Sequence, residues 1–231
     1  MTEPLSAADL DALRRYDTPT ICNGLELVAP ERRATGFTVE PLVASNPALP
    51  PMVGYARTAT IRALDRPGPQ AKATRLAYYE HVASGPGPRI VAIQDLDPRP
   101  GFGAFWGEVQ SNVHKALGCA GGVTNGTIRD LDVIAEGFLL LGGAVGPSHA
   151  WVHVVDFGKP VNVCGMAVSD GDLIHADRHG AVVVPADAVR KLPAAIDLLT
   201  RREAVILEAC KRPDFGIETL RRAFAAQDDI H

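Results

Sequence analysis

Hydrophobic positions in the middle of the chain switch repeatedly between strand-like and helix-like spacing. A short apolar run at 89–94 predicts a buried strand, whereas at 108–117 apolar residues recur every three or four positions, as on one face of a helix. Two further runs, at 121–125 and 137–142, predict strands on either side of a short helix at 129–136. This β-α-β-α-β series predicts parallel strands joined by right-handed crossovers, and therefore the α/β class.

The N-terminal part predicts a capped helix, a strand and a second helix. Ser6 followed by Asp9 resembles a capping box, and Pro19 is expected to stop or restart the chain. Loose alternation at 54–64 predicts a strand, and a helix is expected at 70–84.

The C-terminal part predicts short strands followed by a helical tail. The strands are expected at 151–156, 160–163, 166–168 and 173–185, with turns at Gly158, Gly165, Asp170-Gly171 and His179-Gly180. The tail at 186–224 has a helical pattern that Pro193 and Pro213 are expected to interrupt.

Composition and charge exclude several classes of protein. The net charge is −4, and no basic run exceeds a pair of arginines, so no nucleic-acid partner is expected. The longest apolar stretch, 137–146, is about half of the ~20 residues that cross a bilayer, so no membrane partner is expected. Without a basic N-terminal region, the chain is predicted to be cytoplasmic. The four cysteines lie far apart, which indicates neither a zinc knuckle nor a redox motif.

Two glycine-containing loops follow predicted parallel strands. Ligands of open α/β units bind beyond the carboxyl ends of such strands, so Glu108 in the first loop and Arg129-Asp130 in the second are expected to share one cleft. Glycines at 101–107 allow backbone N–H groups to approach a carboxylate or phosphate at the next helix. Their spacing does not match a dinucleotide-binding loop.

Arg129-Asp130 has two interpretations from the residues alone. Asp130 is either the cap of a short helix beside a surface arginine, or an oxygen ligand for Mg²⁺ or Mn²⁺. In the second interpretation Arg129 supplies a planar fork for a substrate carboxylate.

Several segments together resemble a known family in content and order. They are Gly54-Tyr-Ala-Arg-Thr-Ala-Thr60, Trp106-Gly107-Glu108, Gly118 to Asp130 with its Gly-Gly, Asn-Gly and Arg-Asp pairs, and Gly171-Asp172 to His179-Gly180. The RraA-like family, which these segments resemble, includes 4-hydroxy-4-methyl-2-oxoglutarate aldolases that also decarboxylate oxaloacetate, and non-catalytic regulators of ribonuclease E. Its frequent label as a menaquinone methyltransferase has no support, because no SAM-binding signature is present.

The resemblance implies a fold and an assembly. It implies an α/β/α sandwich similar to the swivelling phosphohistidine domain, formed by residues 1–231 as one domain with a core at 17–186 and a helical tail at 187–231. It also implies a homotrimer or homohexamer with the active site at a subunit interface.

The resemblance also implies a metal-dependent reaction. Asp130 matches the aspartate that binds Mg²⁺ or Mn²⁺, and Arg129 matches the arginine that holds the carboxylate and keto oxygen of a small anionic 2-keto acid. The implied enzyme is a class II aldolase or decarboxylase that forms pyruvate through a metal-stabilised enolate. A non-catalytic binding protein and an enzyme for a different small acid remain alternatives.

Further site positions follow from the same resemblance. Glu108 lies where the family has an acidic residue hydrogen-bonded to metal-bound water. The amides of Val109 and Gln110, after Gly107, lie where the family's backbone holds the substrate carboxylate.

The sequence departs from the aldolase pattern at several positions. The acidic residue expected three positions after the metal aspartate is replaced by Val133, with Asp132 one place earlier. Many members also have aspartate in place of Asn23. The sequence does not place the acidic residue that a neighbouring subunit donates to the metal-bound waters; Glu203 and Glu208 of the tail are candidates for it.

The histidines divide into two pairs. His149 and His153 are expected to contact the substrate, in one interpretation through a second carboxylate; zinc ligation is the alternative, although their segment reads as a strand. His175 and His179 are expected to belong to a structural turn.

Overall fold

The computed structural model describes residues 4–230 of the protein, which form helices around a large sheet. The helices are α1 (Ala7–Leu13), α2 (Thr18–Val28), α3 (Ala71–Ala83), α4 (Glu108–Ala116), α5 (Leu192–Cys210) and α6 (Ile217–Asp228). The strands are β1 (Val43–Ala44), β2 (Met52–Arg62), β3 (Arg89–Asp95), β4 (Ala104–Trp106), β5 (Cys119–Ile128), β6 (Leu139–Val145), β7 (His153–Phe157), β8 (Val161–Val163), β9 (Met166–Val168), β10 (Leu173–Asp177) and β11 (Gly180–Val184). Two 3-10 helices lie at Pro30–Arg32 and Leu131–Val133.

The sheet has a parallel centre. Strands β2, β3, β5 and β6 run parallel as neighbours, with Ala92 of β3 paired to Thr58 on one side and to Val123 on the other. Antiparallel strands extend the order to β1-β6-β5-β3-β2-β10-β11, with β4 beside β5 and β7 beside β2. The result is a mixed α/β fold with a curled sheet and a helical C-terminal part. The likeness to the swivelling phosphohistidine domain stays a prediction.

The predicted parallel series is right for its strands and wrong for one connection. β3, β5 and β6 are parallel, and α4 joins the first two. The helix expected at 129–136 is absent from the described chain, where only the 3-10 turn Leu131–Val133 forms. Asp130 has a φ of 56°, which a right-handed helix does not accommodate, so the connection is a turn instead.

Strand β3 is buried on both faces and explains the continuous apolar run. Ile90 and Ala92 belong to one core cluster, whereas Val91 and Ile93 belong to another. The β8-β9 hairpin covers the first face, and α3 covers the second through the fully buried Tyr78. A parallel strand enclosed in this way carries hydrophobic residues at successive positions.

Prolines lie at helix starts more often than the sequence pattern predicts. Pro19 lies in the first turn of α2, which Asp17 caps, and Pro193 lies in the first turn of α5, so the interruption expected there is wrong. The first turn of a helix needs no N–H from these positions, which is why proline is accepted. Pro213 does separate α5 from α6, and the capping box at Ser6 is confirmed.

The turn before Gly180 joins β10 to β11, as predicted. His175 of β10 is fully buried, with Nδ1 3.0 Å from the Thr18 hydroxyl and Nε2 3.1 Å from the Tyr16 carbonyl oxygen. Because a carbonyl can only accept, Nε2 donates and Nδ1 accepts from Thr18. The histidine therefore ties the sheet to the start of α2, as a structural residue.

Among residues 4–230, no helix has both the length and the apolar character that a membrane span requires.

Candidate active site

A cleft of about 300 Å³ lies where β4 and β5 end and α4 begins. It is lined by Arg75, Ala104, Phe105, Gly107, Glu108, Val109, Gln110, Arg129, Asp130, His149, Val152, His153 and Val154. The lining includes all eight residues that the sequence places in the site. The structure thus brings them together, although they come from three separate segments.

Strands β4 and β5 hold the two halves of the cleft in register. They run parallel, with Trp106 opposite Ile128, and the N–H of Arg129 donates to the Trp106 carbonyl at 3.0 Å. The sequence assigns 101–107 to a loop, but its last part is strand β4, which ends at the Gly107 N-cap of α4. The start of α4 therefore lies beside the Arg129-Asp130 pair.

The Asp130 carboxylate points back towards α4. Its Oδ2 atom accepts a hydrogen bond from the Glu108 N–H at 3.3 Å and lies 3.4 Å from Nε of Arg129. Asp130 precedes the 3-10 turn without making a side-chain cap to it, so the capping interpretation is wrong. Its left-handed backbone, which aspartate adopts more readily than most residues, turns the side chain away from that helix.

Gly107 makes room for this carboxylate. A Cβ atom at position 107 would lie 2.5 Å from Oδ2 of Asp130 and 3.2 Å from Cγ of Arg129. The backbone of Gly107 is extended, so the glycine is required by space and not by dihedral angle. Its role in the structure is to admit a side chain of the site.

The first turn of α4 presents N–H groups to the cleft. The N-cap residue, Gly107, has no side chain to cap this helix, and the Asp130 carboxylate accepts only the N–H of Glu108. The N–H groups of Val109 and Gln110 therefore have no partner within a helix that starts at Glu108. Such N–H groups and the positive end of the helix dipole attract anions. The cleft therefore combines an anion-binding helix N-terminus with the Arg129 guanidinium.

A family model described as RraA-like (Aldolase/RraA) matches residues 9–183. The chain belongs to the RraA-like family. A comparison with curated proteins gives no match.

Solved structures support the fold of this RraA-like chain. An uncharacterized protein from Pseudomonas syringae pv. tomato has a TM-score of 0.69 at 19% identity, with 96% of this chain and 99% of that chain covered. Streptomyces coelicolor RraAS2, described as an unusual member of the RNase ES inhibitor RraA family, has a TM-score of 0.67 at 23% identity, with 92% and 100% covered. The RNA-processing inhibitor RraA from Thermus thermophilis has a TM-score of 0.51 at 19% identity, with 70% and 90% covered.

His149 and His153 lie on the cleft wall of the RraA-like chain and hydrogen-bond only to backbone among residues 4–230. Nδ1 of His149 lies 2.8 Å from the Ala150 carbonyl oxygen, and Nδ1 of His153 lies 2.8 Å from that of Trp151. Both Nδ1 atoms therefore donate. Within the described range no three His, Cys, Asp or Glu side chains are grouped for a metal ion, which gives the zinc alternative no support.

The departures from the aldolase pattern lie outside the cleft. Val133 is half exposed in the 3-10 turn, and Asp132 is exposed without lining the cleft. Glu203 and Glu208 lie on α5, also away from the cleft of their own chain. Their contribution to a neighbouring site, and the trimer or hexamer that it requires, stay predictions.

No pattern in the sequence indicates the buried polar group that lies behind α4. His114, on the inner face of α4, has Nδ1 2.7 Å from the Gln110 carbonyl oxygen and Nε2 2.7 Å from the Tyr78 hydroxyl. The carbonyl fixes the proton on Nδ1, so Tyr78 donates to Nε2. The hydroxyl of Tyr79 donates to Oε1 of Gln110 at 2.9 Å. These bonds fix the first turn of α4 from behind.

We expect His114 to make the folded state sensitive to mild acid. Burial lowers the pKa of His114 from 6.5 to about 4, because the charged ring is desolvated. Between these values the unfolded chain binds a proton that the folded chain does not, so the free energy of unfolding falls as pH falls, by ~3 kcal/mol over the window. Urea unfolding at several pH values should show a smaller pH dependence for His114→Gln; an equal dependence would contradict this role.

Arg75 is a cleft residue that no pattern in the sequence indicates. It lies on α3, about thirty residues before the recognisable segments of the site, and lines the cleft. No motif surrounds it, and an arginine on an amphipathic helix is usually an ordinary surface residue. Its position at the cleft follows only from the packing of α3 against β7.

Proposed function

We propose that this RraA-like chain is a divalent-metal-dependent lyase that cleaves a small 2-keto acid to pyruvate. The substrates would be compounds such as 4-hydroxy-4-methyl-2-oxoglutarate or oxaloacetate. The observation that carries the proposal is the placement of Asp130 and Arg129 beside the N-terminus of α4 in one cleft.

The donor set fits a hard cation such as Mg²⁺ or Mn²⁺. Oδ1 of Asp130 accepts no hydrogen bond from residues 4–230, and the side chain is 34% exposed, so this oxygen is available as a ligand. Mg²⁺ needs few protein ligands because it keeps several waters and takes others from the substrate. Bound at Asp130, the cation would polarise the keto oxygen as a Lewis acid.

The side chains around Asp130 would bind and orient the keto acid. The Arg129 fork suits the carboxylate next to the keto group, and the N–H groups of Val109 and Gln110 suit the same carboxylate. Arg129 also offsets the negative charge that develops on the keto oxygen during cleavage.

Glu108 is the group that we assign to proton transfer. Its carboxylate lines the cleft and would take the proton of the substrate 4-hydroxyl, directly or through a water. The C3–C4 bond then breaks, C4 becomes a carbonyl carbon, and the electron pair forms the pyruvate enolate, which gains a proton at C3. Oxaloacetate reaches the same enolate by losing carbon dioxide.

Val133 supports a second candidate, a non-catalytic binding protein. The acid of the aldolase pattern is missing there, and two similar structures are named for RNA-processing inhibition. The cleft with Arg129, Asp130 and Glu108 favours the enzyme. An enzyme that acts on a different small acid would use the same three side chains on a substrate with a different carbon skeleton.

A pyruvate-release assay tests the proposal. Protein treated with a chelator is supplied with 4-hydroxy-4-methyl-2-oxoglutarate or oxaloacetate, with and without Mg²⁺ or Mn²⁺, and pyruvate is measured with lactate dehydrogenase. We expect pyruvate only with metal. The absence of pyruvate from both compounds at millimolar metal would overturn the proposed activity.

A further inference from the structure

The cleft contains a second guanidinium group, that of Arg75, which is available to bind a ligand. The Arg75 side chain forms no hydrogen bond and no ion pair with any residue in the range 4–230, although it lines the same cleft as Glu108 and Asp130. Arg129, in contrast, is engaged by Asp130 and lies 3.5 Å from the Pro147 carbonyl oxygen.

The two arginines enter the cleft from different elements. Arg75 lies one helical turn before Tyr79, so both occupy the same face of α3. The hydroxyl of Tyr79 hydrogen-bonds to the side chain of Gln110 in the first turn of α4. This face of α3 is therefore turned towards the anion-binding N-terminus of α4. Arg129 follows the end of β5 instead. A substrate with two anionic ends can therefore meet one guanidinium from each element.

With a metal ion bound, the charge of the cleft also favours a dianion. Two guanidinium groups line it, those of Arg75 and Arg129, against the carboxylates of Glu108 and Asp130, so these formal charges balance until a metal ion binds. One of these carboxylates already has a cationic neighbour, and a metal ion would add further positive charge. A cleft lined by an excess of one sign concentrates ligands of the opposite sign.

We propose that Arg75 binds the second carboxylate of the substrate, so that the cleft selects 2-keto dicarboxylates over 2-keto monocarboxylates. This inference rests on the proposed function for its keto acid substrate. Arg75 carries a permanent charge and a bidentate fork, so it suits a distal carboxylate better than the two histidines do. Arg75 is then a specificity residue and takes no part in bond cleavage.

A binding experiment that needs no turnover tests the role of Arg75. The ligands are 2-oxoglutarate and 2-oxopentanoate, which share a five-carbon 2-keto acid body and differ in the terminal carboxylate. Calorimetry is done on the full chain with Mg²⁺ present. We expect 2-oxoglutarate to bind more tightly to the natural protein and Arg75→Gln to weaken it about tenfold or more, with little effect on 2-oxopentanoate.

The matched control is Lys72→Gln, which removes a positive charge from the same helix outside the cleft. It should bind 2-oxoglutarate as the natural protein does, whereas Arg75→Lys should recover part of the lost affinity. The proposal is overturned if Arg75→Gln affects both ligands equally or neither, if Lys72→Gln has the same effect, or if the natural protein binds neither ligand.

Turnover separates this inference from the proposed function. Arg75→Gln should raise KM for 4-hydroxy-4-methyl-2-oxoglutarate much more than for the monocarboxylate 4-hydroxy-2-oxopentanoate, with kcat less affected. If the natural protein releases no pyruvate but Arg75→Gln selectively loses 2-oxoglutarate, the dicarboxylate site stands and the lyase proposal fails. If pyruvate is released and Arg75→Gln changes KM equally for both substrates, the lyase stands and the role of Arg75 is wrong.

Discussion

Replacement of Asp130 by asparagine is expected to reduce metal-dependent pyruvate release by on the order of a hundredfold to a thousandfold. Asparagine keeps the size of the side chain and an oxygen that can accept the Glu108 N–H bond. It loses the negative charge that a hard cation requires and that pairs with Arg129. Steady-state kinetics over a range of Mg²⁺ concentrations, with Mn²⁺ binding measured by calorimetry, would show whether metal affinity falls together with turnover.

Asp132→Asn provides a matched control for this experiment. Asp132 is an exposed acid two positions further along the same turn, and it does not line the cleft. Its replacement should leave both Mn²⁺ binding and pyruvate release close to those of the natural protein. Normal activity in Asp130→Asn, or an equal loss in both variants, would remove Asp130 from the proposed metal site.

The centre of the fold could be predicted because its sequence pattern has one physical cause. Burial of β3 on both faces requires apolar residues at successive positions, and the run at Ile90 and its neighbours shows this directly. Neighbouring parallel strands have their carboxyl ends at the same edge of a sheet. The order of strands and loops along the chain is therefore enough to predict that Glu108 lies near Asp130. The family, recognised from segments that surround these strands, is confirmed.

Other parts of the structure depend on contacts that the sequence pattern does not record. The helix predicted at 129–136 fails because Asp130 adopts a left-handed backbone, which its residue type permits but does not demand. The sequence pattern predicts a break at Pro193 because a proline alone does not distinguish the interior of a helix from its first turn. Arg75 and His114 have no motif, and their positions follow from how α3 and α4 pack on the sheet.

Gly107→Ala is expected to separate activity from folding. The added methyl group would lie 2.5 Å from Oδ2 of Asp130, and that oxygen is the end of a side chain that can move. The carboxylate should therefore be displaced while the backbone is kept, with the free energy of unfolding changed by only about 1 kcal/mol. A displacement of about 1 Å at a reacting group can cost about a hundredfold in rate, so kcat/KM for pyruvate release should fall by that order.

Gly216→Ala is the control that isolates this steric effect. Gly216 is the N-cap of α6, with φ −165° and ψ −176°, close to the φ −170° and ψ −162° of Gly107 at the N-cap of α4. Alanine is less favourable than glycine at an N-cap, and that cost is common to both variants. A Cβ atom at position 216 would meet nothing within 4 Å, so this variant should keep full activity. If Gly107→Ala were equally active, the close approach of Gly107 to Asp130 would have no part in the reaction; if it unfolded while Gly216→Ala did not, the contact would be structural instead.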